Sequence, residues 1–210
     1  GQALVVLALT QLAADALDVL FARLDRAITD AGYLPMSGQI VDATVVAAPR
    51  QRNTDGEKAA IKAGKTADEI WPGKPAQARQ KNLDSRGTIK PSKAKPAADG
   101  KPQIDIAIPA FGYKSHISID RRHGVIRRAK VTNAAAHDGA RLREGLLDPN
   151  NTASDVWADT AYRSAENERF LERSGKKSRI HRRKPRGQPM PRRTARANAV
   201  KSAVRARVEH

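Results

Sequence analysis

Nine residues, Gly38-Gln39-Ile40-Val41-Asp42-Ala43-Thr44-Val45-Val46, constrain this chain more than any other stretch. The run is rich in β-branched side chains and otherwise apolar, which predicts a buried strand. One carboxylate sits inside it. A buried carboxylate must be paired, hydrogen-bonded or bound to metal, although a strand-end Asp capping a turn explains Asp42 equally well in isolation. Two distant stretches bear on the choice. Asp155-Val156-Trp157-Ala158-Asp159-Thr160-Ala161-Tyr162 places a second Asp at the end of a short apolar run, and Arg205-Ala206-Arg207-Val208-Glu209-His210 places a Glu on a predicted helix. Two strand-end aspartates and one helical glutamate on a basic chain point to a metal-dependent phosphodiester site.

The basic balance is large. The 210 residues include 39 Lys and Arg against 22 Asp and Glu, a net charge of +17 that calls for a polyanionic partner. No long basic amphipathic helix with aromatic anchors appears, so nucleic acid is favoured over a membrane surface. The absence of cysteine excludes disulfides and zinc–thiolate sites. Aromatics are only 4 % of the chain, so the core must rest on Val, Ile, Leu and Ala. The apolar run Ala3 to Leu9 is too short to span a bilayer.

Along the chain, 11–31 reads as a helix burying Leu17, Leu20, Phe21, Leu24 and Ile28, with Gly32 ending it. Residues 49–103 are dense in Lys, Arg, Pro, Gly and Ala and read as a mostly mobile basic insertion, with a short helix near 55–63. Either a solvated insertion or a cationic arm on DNA phosphates fits that composition. Tyr113 to Asp120 and Val125 to Thr132 alternate around the turn Arg121-Arg122-His123-Gly124 and predict a β-hairpin. His116 within it reads as a structural donor, and Lys114 as a residue facing the site. A helix over 138–147 is predicted with Asp138 as its cap, which accounts for the His137-Asp138 pair without chemistry. Ser154 to Asp159 reads as a strand, Ser164 to Ser174 as a capped helix ended by Gly175, and 178–182 as an edge strand. Lys176 to Arg193 holds nine basic residues and no acidic ones, among them Arg182, Arg183 and Lys184. A last helix begins near Thr194, and Arg205 and Glu209 share one of its faces, a spacing that an ordinary ion pair also explains.

Val41-Asp42-Ala43-Thr44, Gln51-Arg52-Asn53-Thr54, Gly112-Tyr113-Lys114-Ser115-His116, Asp159-Thr160-Ala161-Tyr162 and Arg205-x-x-x-Glu209 occur in an order that resembles the bacterial insertion-sequence transposases of the DDE type, IS-five-like family. The resemblance covers roughly residues 17 to 210. It implies an α/β, ribonuclease-H-like mixed sheet flanked by helices, with the long basic insertion following the first catalytic strand. The domain division that follows is a helical segment over 1–37 and a catalytic domain over 38–210. The chain opens on Gly rather than Met, and Glu209 is its penultimate residue. A fragment lacking amino- and carboxyl-terminal parts is therefore expected.

Carried over residue by residue, the resemblance makes Asp42, Asp159 and Glu209 both catalytic residues and metal ligands, for two Mg²⁺ or Mn²⁺ ions. Such ions prefer oxygen ligands, and a pair about 4 Å apart can activate a nucleophile and stabilise a leaving oxygen. Lys114, Arg182, Arg183, Lys184 and Arg205 are the expected DNA contacts. The implied activity is strand cleavage at insertion-sequence ends followed by strand transfer into target DNA. It would be carried out by a homo-oligomer on double-stranded DNA, in the bacterial cytoplasm at the nucleoid, with no small-molecule cofactor and no membrane. Two other classes fit the composition: a catalytically inactive, basic DNA-binding relic, and an unstructured polycation.

Overall fold

The computed structural model describes residues 16, 18–92 and 106–208. Its sheet is open and mixed, with strand order β2-β3-β1-β5-β6 and β4 paired to β3. The strands are β1 (Gln39–Ala47), β2 (Arg86–Ser92), β3 (Ile106–Asp120), β4 (Ile126–Asn133), β5 (Asp155–Trp157) and β6 (Lys177–Ser178). Chain contacts define two compact units. The first takes its described residues from the chain up to Asp42, from Ile117–Ala129 and from 139 onward, and the second is Ala43–His116 with Lys130–Asp138.

In the first unit, β1 and β5 run parallel with Gln39 opposite Val156 and Ile40 opposite Trp157, and β5 pairs in parallel with β6. Residues alternate sides along a strand, and the core divides accordingly. Val41, Val156 and Ala158 pack with Leu142, Leu146, Tyr162, Leu171 and Ile180 on one side. Ile40, Trp157 and Ile119 pack with Val204 and Val208 on the other. Helix α6 (Ala165–Arg173) starts at Ser164, whose hydroxyl accepts from Asn167 N, and is followed by Gly175 at φ +65°, as its sequence predicts. Helix α7 (Arg192–Arg205) tightens into a 3₁₀ turn over Ala206–Val208.

The entry to β1 is clamped by polar groups. The Gln39 side chain is buried, donates from Nε2 to Asp148 O at 3.1 Å, and accepts from Asp148 N at 2.8 Å and Ser118 Oγ at 3.1 Å. Gly38 exchanges two hydrogen bonds with the Asn151 amide. At φ +91°, Gly38 has no room for a side chain: a Cβ would lie 2.5 Å from the Trp157 ring and 2.6 Å from Asp155 O.

The first helix, α1, covers 18–30 and gives way at Gly32, φ +90°. Its expected apolar stripe docks only in part. Phe21 and Ile28 are half-buried, whereas Leu20 and Leu24 are 60 % and 56 % exposed, and Leu17 lies outside the described residues. A polar contact shares the docked face: Arg127, 1 % exposed, reaches Asp25 of α1 at 2.8 Å and the buried Asp120 at 3.3 Å, and also donates to Tyr33 O.

In the second unit, the basic stretch that composition predicted to be mostly mobile is folded over its described part. It carries α2 (Asp55–Lys62), α3 (Ala67–Ile70), α4 (Pro75–Gln80) and β2. Capping boxes start two of these helices, Thr54 with Glu57 and Thr66 with Glu69, each satisfying orphan backbone N–H groups. Trp71 is buried, donates to Glu57 Oε1 and lies beneath Lys81 Nζ. Lys, Pro and Gly content conceals these local devices. β2 pairs antiparallel with the first half of β3, from Arg86 opposite Gly112 to Ser92 opposite Ile106. Gly112, φ +149°, lets Val46 and Ala48 approach; a Cβ there would be 2.2 Å from Val46 O.

The expected hairpin is present as β3–β4, with Asp120 N and Gly124 N donating across its turn to Val125 O and Asp120 O. His116 is buried with Nε2 2.8 Å from Thr132 Oγ1, a structural histidine as its strand position predicts. The helix predicted over 138–147 is broken. α5 spans only Asp138–Arg141, and a wide turn over Leu142–Leu146 follows with Gly145 at φ +81°. Asp138 begins α5, and its carboxylate pairs with Lys114 at 2.9 Å.

Candidate active site

Asp42 stands three residues into β1 beyond the Gln39 clamp. The offset of the β1–β5 pairs, continued two residues past Ile40–Trp157, sets Asp42 level with Asp159. The backbone of Asp159 is still extended, at φ −77° and ψ −177°. Hydrogen bonds from Arg179 N to Val156 O and from His181 N to Ala158 O carry the neighbouring segment along the same edge. By alternation, Asp42 and Asp159 follow Ile40 and Trp157 onto the side where Val204 and Val208 of the carboxyl-terminal helix pack. Asp159 thus stands just past the carboxyl end of β5, where open α/β sheets place reactive groups, whereas Asp42 lies inside β1, which runs on to Ala47, and is not the strand-end residue the sequence predicts.

Each carboxylate is engaged. Asp42 Oδ2 accepts from Arg205 NH2 at 3.1 Å, with the two side chains 21 % and 14 % exposed. Asp159 Oδ1 accepts from Ala161 N at 2.8 Å and so caps the turn that follows, the role that sequence allowed for Asp42. Arg205 Nε is buried and finds no acceptor among the described residues. Glu209 lies outside the described residues. Among the described residues, no three His, Asp or Glu side chains gather as a metal site. The pair of carboxylates nevertheless offers the hard oxygen donors that Mg²⁺ and Mn²⁺ prefer.

Two basic residues near Asp159 carried no sequence signal beyond membership of a charged run. His181 is half-buried, and burial first, then Arg205 and Lys201, push its pKa below the usual imidazole value, against the pull of Asp159. Its Nε2 is buried without a partner among the described residues. Lys201 donates to Ile180 O at 2.8 Å. Its pKa is lowered by burial first, then by Arg163, Arg182 and Arg179, with Glu168 opposing. The edge pairing of 177–181 with β5 brings His181 to Asp159, and α7 brings Lys201 to His181; both are tertiary facts.

The expected DNA contacts divide. Arg182, Arg193, Asn198 and Lys201 line a cavity of about 490 Å³ without an acidic side chain. Asn198 holds the backbone of Arg182 through two hydrogen bonds. Arg183 donates to Thr160 O and Lys184 is exposed. Lys114 is differently placed. In the second unit its Nζ pairs with Asp138 at 2.9 Å and donates to Ala136 O at 2.8 Å, so a phosphate contact there would displace an internal ion pair.

Among the described residues no helix is long and apolar enough to cross a membrane. Compared with protein families, residues 34–210 match the family described as the transposase DDE domain. No curated protein and no solved structure matches the chain.

Proposed function

Because the chain belongs to the transposase DDE-domain family, we propose that it cleaves DNA strands at insertion-sequence ends and transfers them to target DNA, on a ribonuclease-H-like sheet. The observation that carries this reading is the register of two adjacent parallel strands, which sets Asp42 within β1 level with Asp159 just past the end of β5. In it, Asp42 and Asp159, with Glu209, would hold the divalent metal, Mg²⁺ or Mn²⁺. When bound, such ions activate a water or hydroxyl and stabilise the leaving oxygen of a phosphodiester.

The protein's own groups do the rest. Arg205 holds the Asp42 carboxylate by one guanidinium nitrogen and keeps its buried Nε for an incoming acceptor, which a phosphate oxygen supplies. Arg182, Arg193 and Lys201 form an uncompensated cationic recess that suits the strand backbone. The pKa of Lys201 is lowered by burial first and then by the cations around it, which a phosphate would offset. His181, neutral near pH 7, adds no further positive charge beside Asp159.

The test is nicking of supercoiled plasmid with Mg²⁺ or Mn²⁺, for the parent and for Asp42→Asn and Asp159→Asn. Parent activity that both variants abolish, while duplex binding persists, supports the proposal. Parent activity unaltered by either substitution refutes the site. Tight binding without nicking in any protein would identify the chain as a DNA-binding relic.

A further inference from the structure

In the second unit, Phe111 is half-buried on β3, and its directly opposed cross-strand neighbour on β2 is Gly87. Directly opposed residues share a sheet face, so a side chain at 87 would ordinarily cover the Phe111 ring. Glycine leaves it bare, and nothing lies within 4 Å of where a Cβ at 87 would be. Two cavities of about 520 and 550 Å³ meet here, sharing Asn53, Lys58, Gly87 and Phe111 as walls.

The polar groups of this cleft are incompletely used. Ser85 is 3 % exposed and its Oγ has no hydrogen-bond partner among the described residues. Gln51 Oε1, on the wall of the other cavity, is buried and likewise unpartnered among the described residues. Buried polar atoms are rarely left so, because each costs its desolvation without return. Arg50 and Lys62 rim the cleft, and no carboxylate pairs with them among the described residues, while Arg86 donates to the carbonyls of Leu83, Ser85 and Ile61. Among the described residues no acidic side chain lines either cavity.

An uncovered aromatic ring, unsatisfied amide and hydroxyl groups and a cationic rim are the complement of a nucleobase with its phosphate. We infer that the Phe111 cleft binds one unpaired nucleotide, stacked on Phe111, read by Gln51 and Ser85, with its phosphate on the Arg50 and Lys62 rim. The inference rests on the reading of the chain as a DNA-transacting enzyme, which makes an unpaired base in a DNA strand its source. The same chemistry would admit a free nucleotide. Stacking on an aromatic ring tolerates any base, so the cleft recognises an unstacked base rather than a sequence.

The test uses a short DNA strand carrying one 2-aminopurine, single-stranded or fully paired, with the full chain in EDTA. The cleft predicts quenching of the probe in the single strand, and little in the duplex. Gly87→Leu fills the space above Phe111 without removing any contact, at a residue not held at positive φ. It should remove the quench and weaken single-strand binding about tenfold, the size of one base–aromatic stack, while duplex affinity stays unchanged. Phe111→Ala should reproduce this loss in a protein whose thermal transition is retained. Displacement of the strand by excess deoxynucleoside monophosphate would assign the cleft to free nucleotides and support the shared chemistry. A parent protein that does not quench, or a Gly87→Leu protein that quenches fully, overturns the inference. The assay contains no metal, so failure of nicking leaves its result untouched, and a missing quench beside intact nicking removes the cleft alone.

Discussion

Replacing Gln39 by Leu should cost the protein about 2–5 kcal/mol, although the side chains are similar in size and the site is fully buried. The estimate follows from what the amide satisfies. Gln39 supplies the acceptor for Asp148 N, the donor for Asp148 O and the acceptor for Ser118 Oγ. Leucine leaves two buried backbone groups and one hydroxyl without partners, at about 1–3 kcal/mol each. Greater apolar burial returns about 1–2 kcal/mol, and the hydroxyl is free to turn elsewhere. The measurement is urea unfolding followed by circular dichroism, in which the midpoint should fall at constant slope. Gln39→Leu combined with Ser118→Ala should cost less than the sum of the single changes, because the second removes a group the first had stranded. A loss under about 1 kcal/mol for Gln39→Leu would refute the reasoning. It would mean that the clamp does not hold the strand that carries Asp42.

Arg127→Ala should destabilise by about 2–4 kcal/mol, since it leaves the buried Asp120 carboxylate without its counter-charge and with only the His123 and Val125 N–H groups as donors, whereas Asp25→Ala, at the more exposed end, should cost about 1 kcal/mol or less by thermal or urea unfolding. Because burial depresses the His181 pKa, the unfolded chain binds the proton more readily than the folded one. The stability this residue contributes is therefore complete above about pH 6.5 and declines as pH falls from there toward its folded value; His181→Gln should flatten that part of the unfolding-midpoint profile. Duplex affinity should fall with salt, and Arg182→Ala or Arg193→Ala should each make the log–log slope shallower by about 1; an unchanged slope would remove the cationic recess from the DNA interface. Gly112→Ala should be destabilising by several kcal/mol, on the order of 3, since positive φ and a clash with Val46 O coincide there.

Much of the local structure was legible from the sequence because its causes are local. The β-branched run around Asp42, the Ser164 cap with Gly175, and the alternation either side of Arg121-Arg122-His123-Gly124 each carry their physics within a few neighbouring residues. The basic stretch after Val46 misled, since composition reports average solvation, while two capping boxes and one buried tryptophan decide order. Helix α1 was read only in part: Phe21 and Ile28 of its apolar period are half-buried, but Leu20 and Leu24 are exposed, and a buried arginine on a distant strand ties the docked face through Asp25. Asp42 and Asp159 could each be named from sequence as carboxylates on apolar runs, although only Asp159 stands at a strand end, since β1 continues past Asp42 to Ala47. Their level placement, the guanidinium of Arg205 against Asp42 and the approach of His181 to Asp159 could not. Those depend on parallel pairing between segments more than a hundred residues apart, and a hydrogen-bond register of that kind leaves no periodicity in either segment alone.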